Sequence, residues 1–512
     1  MKKVFSFILV VSFILVLLVS CGTETNETSG KESSAAASSS DESLSELSEE
    51  VSEEGFKYAT KRFAGTTIKI LTVDKSRHTY GEMQFAPDSE LESNTINEAV
   101  KERNNYIYDN FGITIETRTE SYPSDVLLNE INGNVADYAL VCESVDRMVT
   151  QIADNLFLSL DEYIDVNDEW WDEMALDSLS LDGVKHFFVS GDCMLTDVDN
   201  VYLTLFNKKM YADNADVAGK FGDIYQLVRD RKFTLDAFTE MSKAVSVADS
   251  NGKWSFDATF GNLSHSYGAT IMVNGCGVAT VEKSPDGLRS TVLDERSQLV
   301  FDKVYKLMSD KQTTQRAELI IGKGSHPSSY GFAELEEMFT SGRGLFYNTT
   351  VSSISILKNS SVERDFEFGV LPIPLYDEEQ ENYFCAVNRY QSSVIGVPIS
   401  AYDDIDAAAF LLNVLGYCNT NLSSNVMNAY KELTLKLQAS DSEDDFEMLD
   451  LIFESRFYDL GSIFTWGDLY GLYGSLINNA NTNTLVSTYE AMKDKVESAI
   501  AETYEEYLDS QL

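Results

Sequence analysis

Three strand-like runs separated by helical stretches open the main body of this 512-residue chain, and that alternation restricts the fold more than any other feature. Thr67-Ile68-Lys69-Ile70-Leu71-Thr72-Val73 has the composition of a buried strand. After a polar loop through Asp74, Arg77 and Tyr80, Thr95-Ile96-Asn97-Glu98 has the form of a capping box, with Thr95 at the cap. Ile96, Val100, Ile107 and Phe111, with Ala99 beside them, repeat at helical spacing. Gly112 supplies the stop, because glycine tolerates the left-handed conformation that ends helices. Ile113 to Thr117 reads as a second strand, Val126 to Ile131 as a short helix and Tyr138 to Cys142 as a third strand. This order predicts a parallel, doubly wound α/β sheet. Ligands of such sheets settle at the carboxyl ends of the strands, so the loops after Val73 and Cys142 become candidate binding loops, with Asp74, Arg77, Glu143 and Asp146 in reach.

The first sixty residues differ in character. Met1-Lys2-Lys3 precedes an apolar stretch from Val4 to Val19 broken only by Ser6 and Ser12, the layout of a secretory signal. The stretch is short of the about 20 apolar residues that cross a hydrocarbon core. It ends in Leu18-Val19-Ser20-Cys21-Gly22, which resembles the lipobox of bacterial lipoproteins. That resemblance implies a signal peptide over residues 1–20, a diacylglycerol on Cys21 and a protein held by lipid at the outer face of the cell membrane. Residues 21–62 are dominated by Ser, Glu, Ala and Thr, as in Ala35-Ala36-Ala37-Ser38-Ser39-Ser40. Such a segment buries too little apolar surface to offset its ordering entropy and is expected to form a disordered tether.

About 450 residues remain beyond the tether, enough for two or three domains, and 26 Tyr and 28 Phe can fill a large core. The formal net charge is −44, and residues 22–62 hold only ten acidic and four basic side chains, so the rest of the chain carries most of the excess. A surface this acidic repels nucleic acid and argues against it as a partner. Beyond Cys21, the cysteines Cys142, Cys193, Cys276, Cys385 and Cys418 are scattered with no CxxC pair, and their apolar neighbours point to buried free thiols.

Several segments, taken in order, resemble extracellular solute-binding proteins of ABC importers. Asn97-Glu98-Ala99-Val100-Lys101-Glu102-Arg103-Asn104 is similar to that family's first helix, and Phe111-Gly112-Ile113-Thr114-Ile115 to the extended stretch after it. Leu158-Ser159-Leu160-Asp161-Glu162-Tyr163-Ile164, Phe206-Asn207-Lys208-Lys209-Met210-Tyr211, Phe233-Thr234-Leu235-Asp236-Ala237-Phe238, Gly342-Arg343-Gly344-Leu345-Phe346-Tyr347 and Phe368-Gly369-Val370-Leu371-Pro372-Ile373-Pro374 follow in the family's order. The family's tryptophan after the helix cap is Leu235 here, and its usual approach to the second domain is replaced by Val189-Ser190-Gly191; both changes bear on ligand type more than on fold. The resemblance implies a periplasmic-binding-protein-like type II fold, two doubly wound α/β lobes joined by crossing hinge strands. Residues 63–192 and 370–425 would form lobe 1, and 193–369 and 426–512 lobe 2, with crossings near 190–203 and 366–374. Leu485 to Leu512 reads as a closing helix, with Val486, Tyr489, Met492, Val496, Ile500 and Tyr504 at helical spacing.

The function implied is capture of a small solute, with carbohydrate favoured, in an interlobe cleft, and delivery to ABC permease subunits by a monomer. No cofactor is expected. The candidate ligand-binding residues are Asp74, Arg77, Tyr80 and Glu143, then Asp197 and Asn200 near the first crossing, Tyr347, Arg389 and Tyr390, and finally Trp466 and Tyr470. Trp466 reads equally well as a core residue of the second lobe. The four histidines lack metal-ligand spacing, HExxH and GxSxG do not occur, and neither a metal nor a catalytic residue is expected. His265, in Ser264-His265-Ser266-Tyr267-Gly268, has two readings, a polar loop lining the cleft and, favoured, a plain surface histidine. Asp168-Glu169 and Asp172-Glu173, bracketing Trp170-Trp171, keep a carboxylate-pair glycoside hydrolase open as an alternative. A ligand-sensing lipoprotein is the third reading.

Overall fold

The computed structural model describes residues 56–88, 94–359, 364–432, 443–478 and 482–510. The expected signal peptide, Cys21 and most of the expected tether lie outside them. Among the described residues no helix is long and apolar enough to cross a membrane.

The predicted alternation folds as expected. β1 (Thr66–Val73), β2 (Ile113–Glu120) and β3 (Leu140–Ser144) run parallel, and β12 (Ser393–Gly396) lies antiparallel to β3, giving the order β12–β3–β1–β2. Between the strands lie helices α1 (Thr95–Phe111) and α2 (Pro123–Gly133). The cap of α1 is Asn94 rather than Thr95: its side chain accepts from the Ile96 and Asn97 N–H groups. Gly112 ends the helix with φ of 78°, and a Cβ there would come within 2.7 Å of the Ala64 Cα.

The second sheet contains β4 (Tyr202–Asn207), β5 (Phe260–Ser264), β8 (Thr314–Arg316), β9 (Gly344–Thr350) and β10 (Phe368–Leu371), in the order β10–β4–β9–β5–β8. β5, β8 and β9 are parallel, and β4 runs against both β9 and β10. β6 (Val281–Ser284) and β7 (Gly287–Ser290) form a hairpin, and β11 (Cys385–Ala386) pairs with β13 (Arg456–Phe457).

Strand register decides how the two sheets face. Ser393, the first residue of β12, pairs with Ser144 at the end of β3, and Tyr202, the first of β4, pairs with Thr350 at the end of β9. The segments that join the sheets therefore connect one carboxyl edge to the other. Val201 bridges Val387, and the Asn388 N–H donates to the Asn200 carbonyl at 2.9 Å. The carboxyl edges of both sheets thus flank one cleft, floored by these crossings.

Some expected boundaries move. The return crossing expected at 366–374 coincides with β10, which pairs with β4 and closes the edge of the second sheet; the chain rejoins the first sheet at β12. Phe56, the first described residue and inside the expected tether, is already packed, its ring buried against Phe111, Trp170, Phe410 and Tyr417. The helix Val426–Lys431 packs on α1, and its Tyr430 hydroxyl donates to Asp199 at 2.8 Å. The closing helix spans Leu485–Asp509, and its end reaches the first lobe, where Lys185 Nζ donates to the Leu508 carbonyl at 3.0 Å.

Candidate functional site

The first-sheet wall is built by two acids that hold their neighbours in place. Asp74, directly after β1, accepts from the Ser76 and Arg77 N–H groups and from the Ser76 and Ser121 hydroxyls. The Ser121 and Ser76 hydroxyls hold its carboxyl below the ordinary range. This turn sends Arg77 across the edge, where it donates to the Ser121 carbonyl at 3.0 Å and the Tyr390 carbonyl at 2.9 Å. Glu143, buried in β3, accepts from the Ser124 N–H at 2.7 Å and so caps α2, whose own N-cap Tyr122 provides no side-chain bond. Its other oxygen lies 3.3 Å from Arg77 and 2.9 Å from Arg147. Burial raises its pKa, against the Ser124 donors and the two guanidinium groups. Arg77 and Arg147 share one aromatic ring, Tyr122, lying 4.9 and 4.7 Å from its centroid, and that residue is 49% exposed.

The second-sheet wall is aromatic. Tyr267, just past the end of β5, stacks on Tyr470 at 4.5 Å, and Tyr390 meets Tyr470 edge-on at 5.5 Å. Arg389 lies over the Tyr390 and Tyr470 rings, 4.4 and 4.2 Å from their centroids. His265 stacks on Tyr267 and meets the exposed Phe332 edge-on. It is buried rather than superficial, and burial lowers its pKa to about 4, so the ring is neutral near pH 7. Burial raises the Tyr267 and Tyr470 phenols, which stay protonated.

The candidate residues therefore divide. Arg77, Arg389, Tyr390 and Tyr470 come together along the cleft, with Asp74 and the buried Glu143 behind Arg77 as its supports. The other five do not. Tyr80 is buried edge-on to Tyr430, and Tyr347 lies in β9 against Phe339. Asn200 is buried in the crossing, with Nδ2 donating to the Thr196 carbonyl at 3.2 Å. Asp197 is buried in an ion pair with Arg456 at 3.0 Å, and Arg456 also lies 2.8 Å from Asp172. Trp466 is 3% exposed, stacks on Phe464 at 4.6 Å and donates Nε1 to the Thr503 hydroxyl at 2.9 Å. Tyr122, Arg147 and Tyr267 join the cleft without having been among the candidates. Tyr122 lies two residues past the end of β2, so the carboxyl-edge rule points to it; Tyr267 stands in the polar loop around His265.

This arrangement sets two exposed aromatic residues, Tyr122 and Tyr390, beside guanidinium and hydroxyl donors, the chemistry that receives an apolar sugar face and its hydroxyls. Both oxygens of Asp74 and of Glu143 are engaged by protein donors, so neither is free for acid–base work. Asp172, one of the acids beside the tryptophan pair, caps the helix Glu173–Leu179 and accepts the Tyr458 hydroxyl. Among the described residues no group of His, Cys, Asp and Glu could hold a metal ion, and the five cysteines are free and buried.

No protein-family model and no curated protein matches the chain. Solved structures do. A sugar transporter from Rhizobium etli in an open conformation aligns with TM-score 0.53 at 12% identity, covering 87% of this chain and 99% of that one. A cyclo/maltodextrin-binding protein complexed with maltotetraose aligns with TM-score 0.52 at 13% identity, covering 88% and 100%. An ABC substrate-binding protein from Listeria monocytogenes in complex with cycloalternan gives 0.50 at 14% identity, covering 85% and 98%. The fold is accordingly the two-lobe α/β fold of maltose-binding-like periplasmic binding proteins. These structural neighbours are binding proteins rather than enzymes.

Proposed function

We propose that this protein captures a carbohydrate between its lobes and delivers it to an ABC permease, held at the outer face of the cell membrane by a lipid on Cys21. The observation that carries the reading is the Tyr267–Tyr470–Tyr390 wall, set beside Arg77 and Arg389 where the two carboxyl edges meet. The likeness to sugar-binding solute receptors supports it. A ligand touching both walls favours the closed arrangement, since it binds that state better than the open one. A permease can then distinguish loaded from empty receptor.

The test is a melting series of the non-lipidated chain from residue 22 onward across mono- and oligosaccharides. A bound sugar at about 100 times its dissociation constant should add roughly 2.7 kcal/mol of stability. Flat curves across the panel would count against carbohydrate, and steady release of shorter sugars would move the assignment to a hydrolase. Recovery of a membrane kinase instead of a permease with the lipidated protein would favour a sensing role.

A further inference from the structure

Arg389 is a buried cation whose charge is met by no ion pair among the described residues. It stands between the crossing at Val387 and the start of β12, and it is 8% exposed. Among the described residues no carboxylate forms an ion pair with it. Its Nη1 donates to the Ser462 carbonyl and, at 3.3 Å, to the Ile463 carbonyl, which fixes the group against the second lobe. Its Nη2 donates to the Tyr390 hydroxyl at 2.9 Å. Its Nε is buried and has no hydrogen-bond partner. The nearby acid Asp146 meets it only through the backbone, donating its N–H to the Arg389 carbonyl at 3.3 Å.

A charged donor left unpaired in a buried setting costs more than a neutral one, so this edge is poised for an acceptor. Nε and Nη2 form the outer edge of the guanidinium fork, two parallel donors spaced to suit two oxygens of one oxyanion. One of these donors is empty. The other is occupied by a hydroxyl on Tyr390, a residue that is 42% exposed and therefore displaceable. The Tyr390 and Tyr470 rings flank the same guanidinium, so an oxyanion bound there would be carried by a sugar ring lying against them.

We propose that Arg389 recognises an oxyanion on the ligand and that the carbohydrate taken by this cleft is acidic, bearing a uronic acid carboxylate or a sulfate ester. This rests on the carbohydrate reading above and narrows it. The chain's formal charge of −44 does not oppose it at short range, because physiological salt screens exposed charges beyond about 8 Å. Closer in, Arg77 and Arg147 are matched by Glu143 and Asp125, so that part of the cleft is close to neutral and Arg389 carries the recognition.

The test uses calorimetric titration of the non-lipidated chain with oligogalacturonates of two to four residues, before and after carboxyl reduction to the neutral sugar. Sulfated oligosaccharides before and after desulfation form the second arm. The expected result is a loss of at least tenfold in affinity on neutralisation, in whichever arm carries the natural oxyanion. Arg389→Met should bind the acidic and neutralised forms equally, and Arg389→Lys should restore part of the preference. These comparisons within the wild-type chain stand even if Arg389→Met fails to fold. Neutral sugars binding as tightly as their acidic parents would overturn the proposal and leave the carbohydrate reading intact. If no saccharide of either kind binds, both readings fall.

Discussion

Replacing Trp466 by alanine separates a structural ring from a ligand-stacking one. The indole lies parallel to Phe464, with an interplanar angle of 9°, and its N–H is satisfied by Thr503 on the closing helix. The adjoining Gly467, with φ of 58°, approaches that helix so closely that a Cβ would come within 2.5 Å of the Val496 side chain. A neighbourhood packed this tightly cannot collapse into the space a ring leaves, so the cost lies in the upper part of the roughly 3 to 5 kcal/mol typical of Trp→Ala in cores. With an unfolding entropy of about 2.1 cal/mol/K per residue, about 450 residues give roughly 0.95 kcal/mol/K. A loss of about 4 kcal/mol then lowers Tm by about 4 °C, and by about twice that if the second lobe melts alone. Differential scanning calorimetry without ligand measures the shift, and titration with a sugar that stabilises the wild type measures binding. A Tm within about 1 °C of wild type, together with a tenfold weaker affinity, would refute the packing argument and return Trp466 to the cleft.

Arg456→Met strands Asp197 and Asp172 at the crossing and should cost roughly 3 to 5 kcal/mol by denaturant titration at pH 8, less at pH 5 where burial lets Asp197, raised to about 7, take up a proton. Burial also raises Asp199 to about 7, so its contribution to stability is complete below the unfolded carboxylate value and is lost as pH rises through 7. Asp199→Asn should therefore reduce the fall in stability between about pH 4 and pH 7, as followed by urea midpoints. Cys21→Ala should leave the protein out of the detergent phase or as an uncleaved precursor, because stable anchoring needs the two chains of a diacylglycerol; normal lipid labelling of the variant would refute the lipobox reading.

Much of the first lobe was legible because its signals are local. The β-branched run at Thr67–Val73, the helical spacing from Ile96 to Phe111 and the stop at Gly112 each constrain a few adjacent residues, and each formed as expected. Parallel order then leads directly to the carboxyl edge, which assigns Asp74, Arg77 and Glu143 to one wall from the pattern of elements alone. The cap at Asn94 in place of Thr95 is an error of the same local kind: two adjacent side chains can both cap, and the backbone chose the earlier one.

The residues that sequence misplaced are those whose surroundings arrive from far along the chain. Asp197 looks like a ligand contact until Arg456 reaches it, and Trp466 reads equally as a platform or a core ring until Thr503 takes its N–H. Tyr267, Tyr390 and Tyr470 are separated by long stretches of chain and become one wall only when the lobes are assembled. By itself the sequence determined the alternation of elements and the edge at which a ligand would settle, since both follow from local periodicity and the handedness of parallel connections. Only the tertiary structure decided which polar and aromatic side chains stay open to that edge, because a buried ion pair or a stacked ring is a property of two distant segments and leaves no pattern in either one.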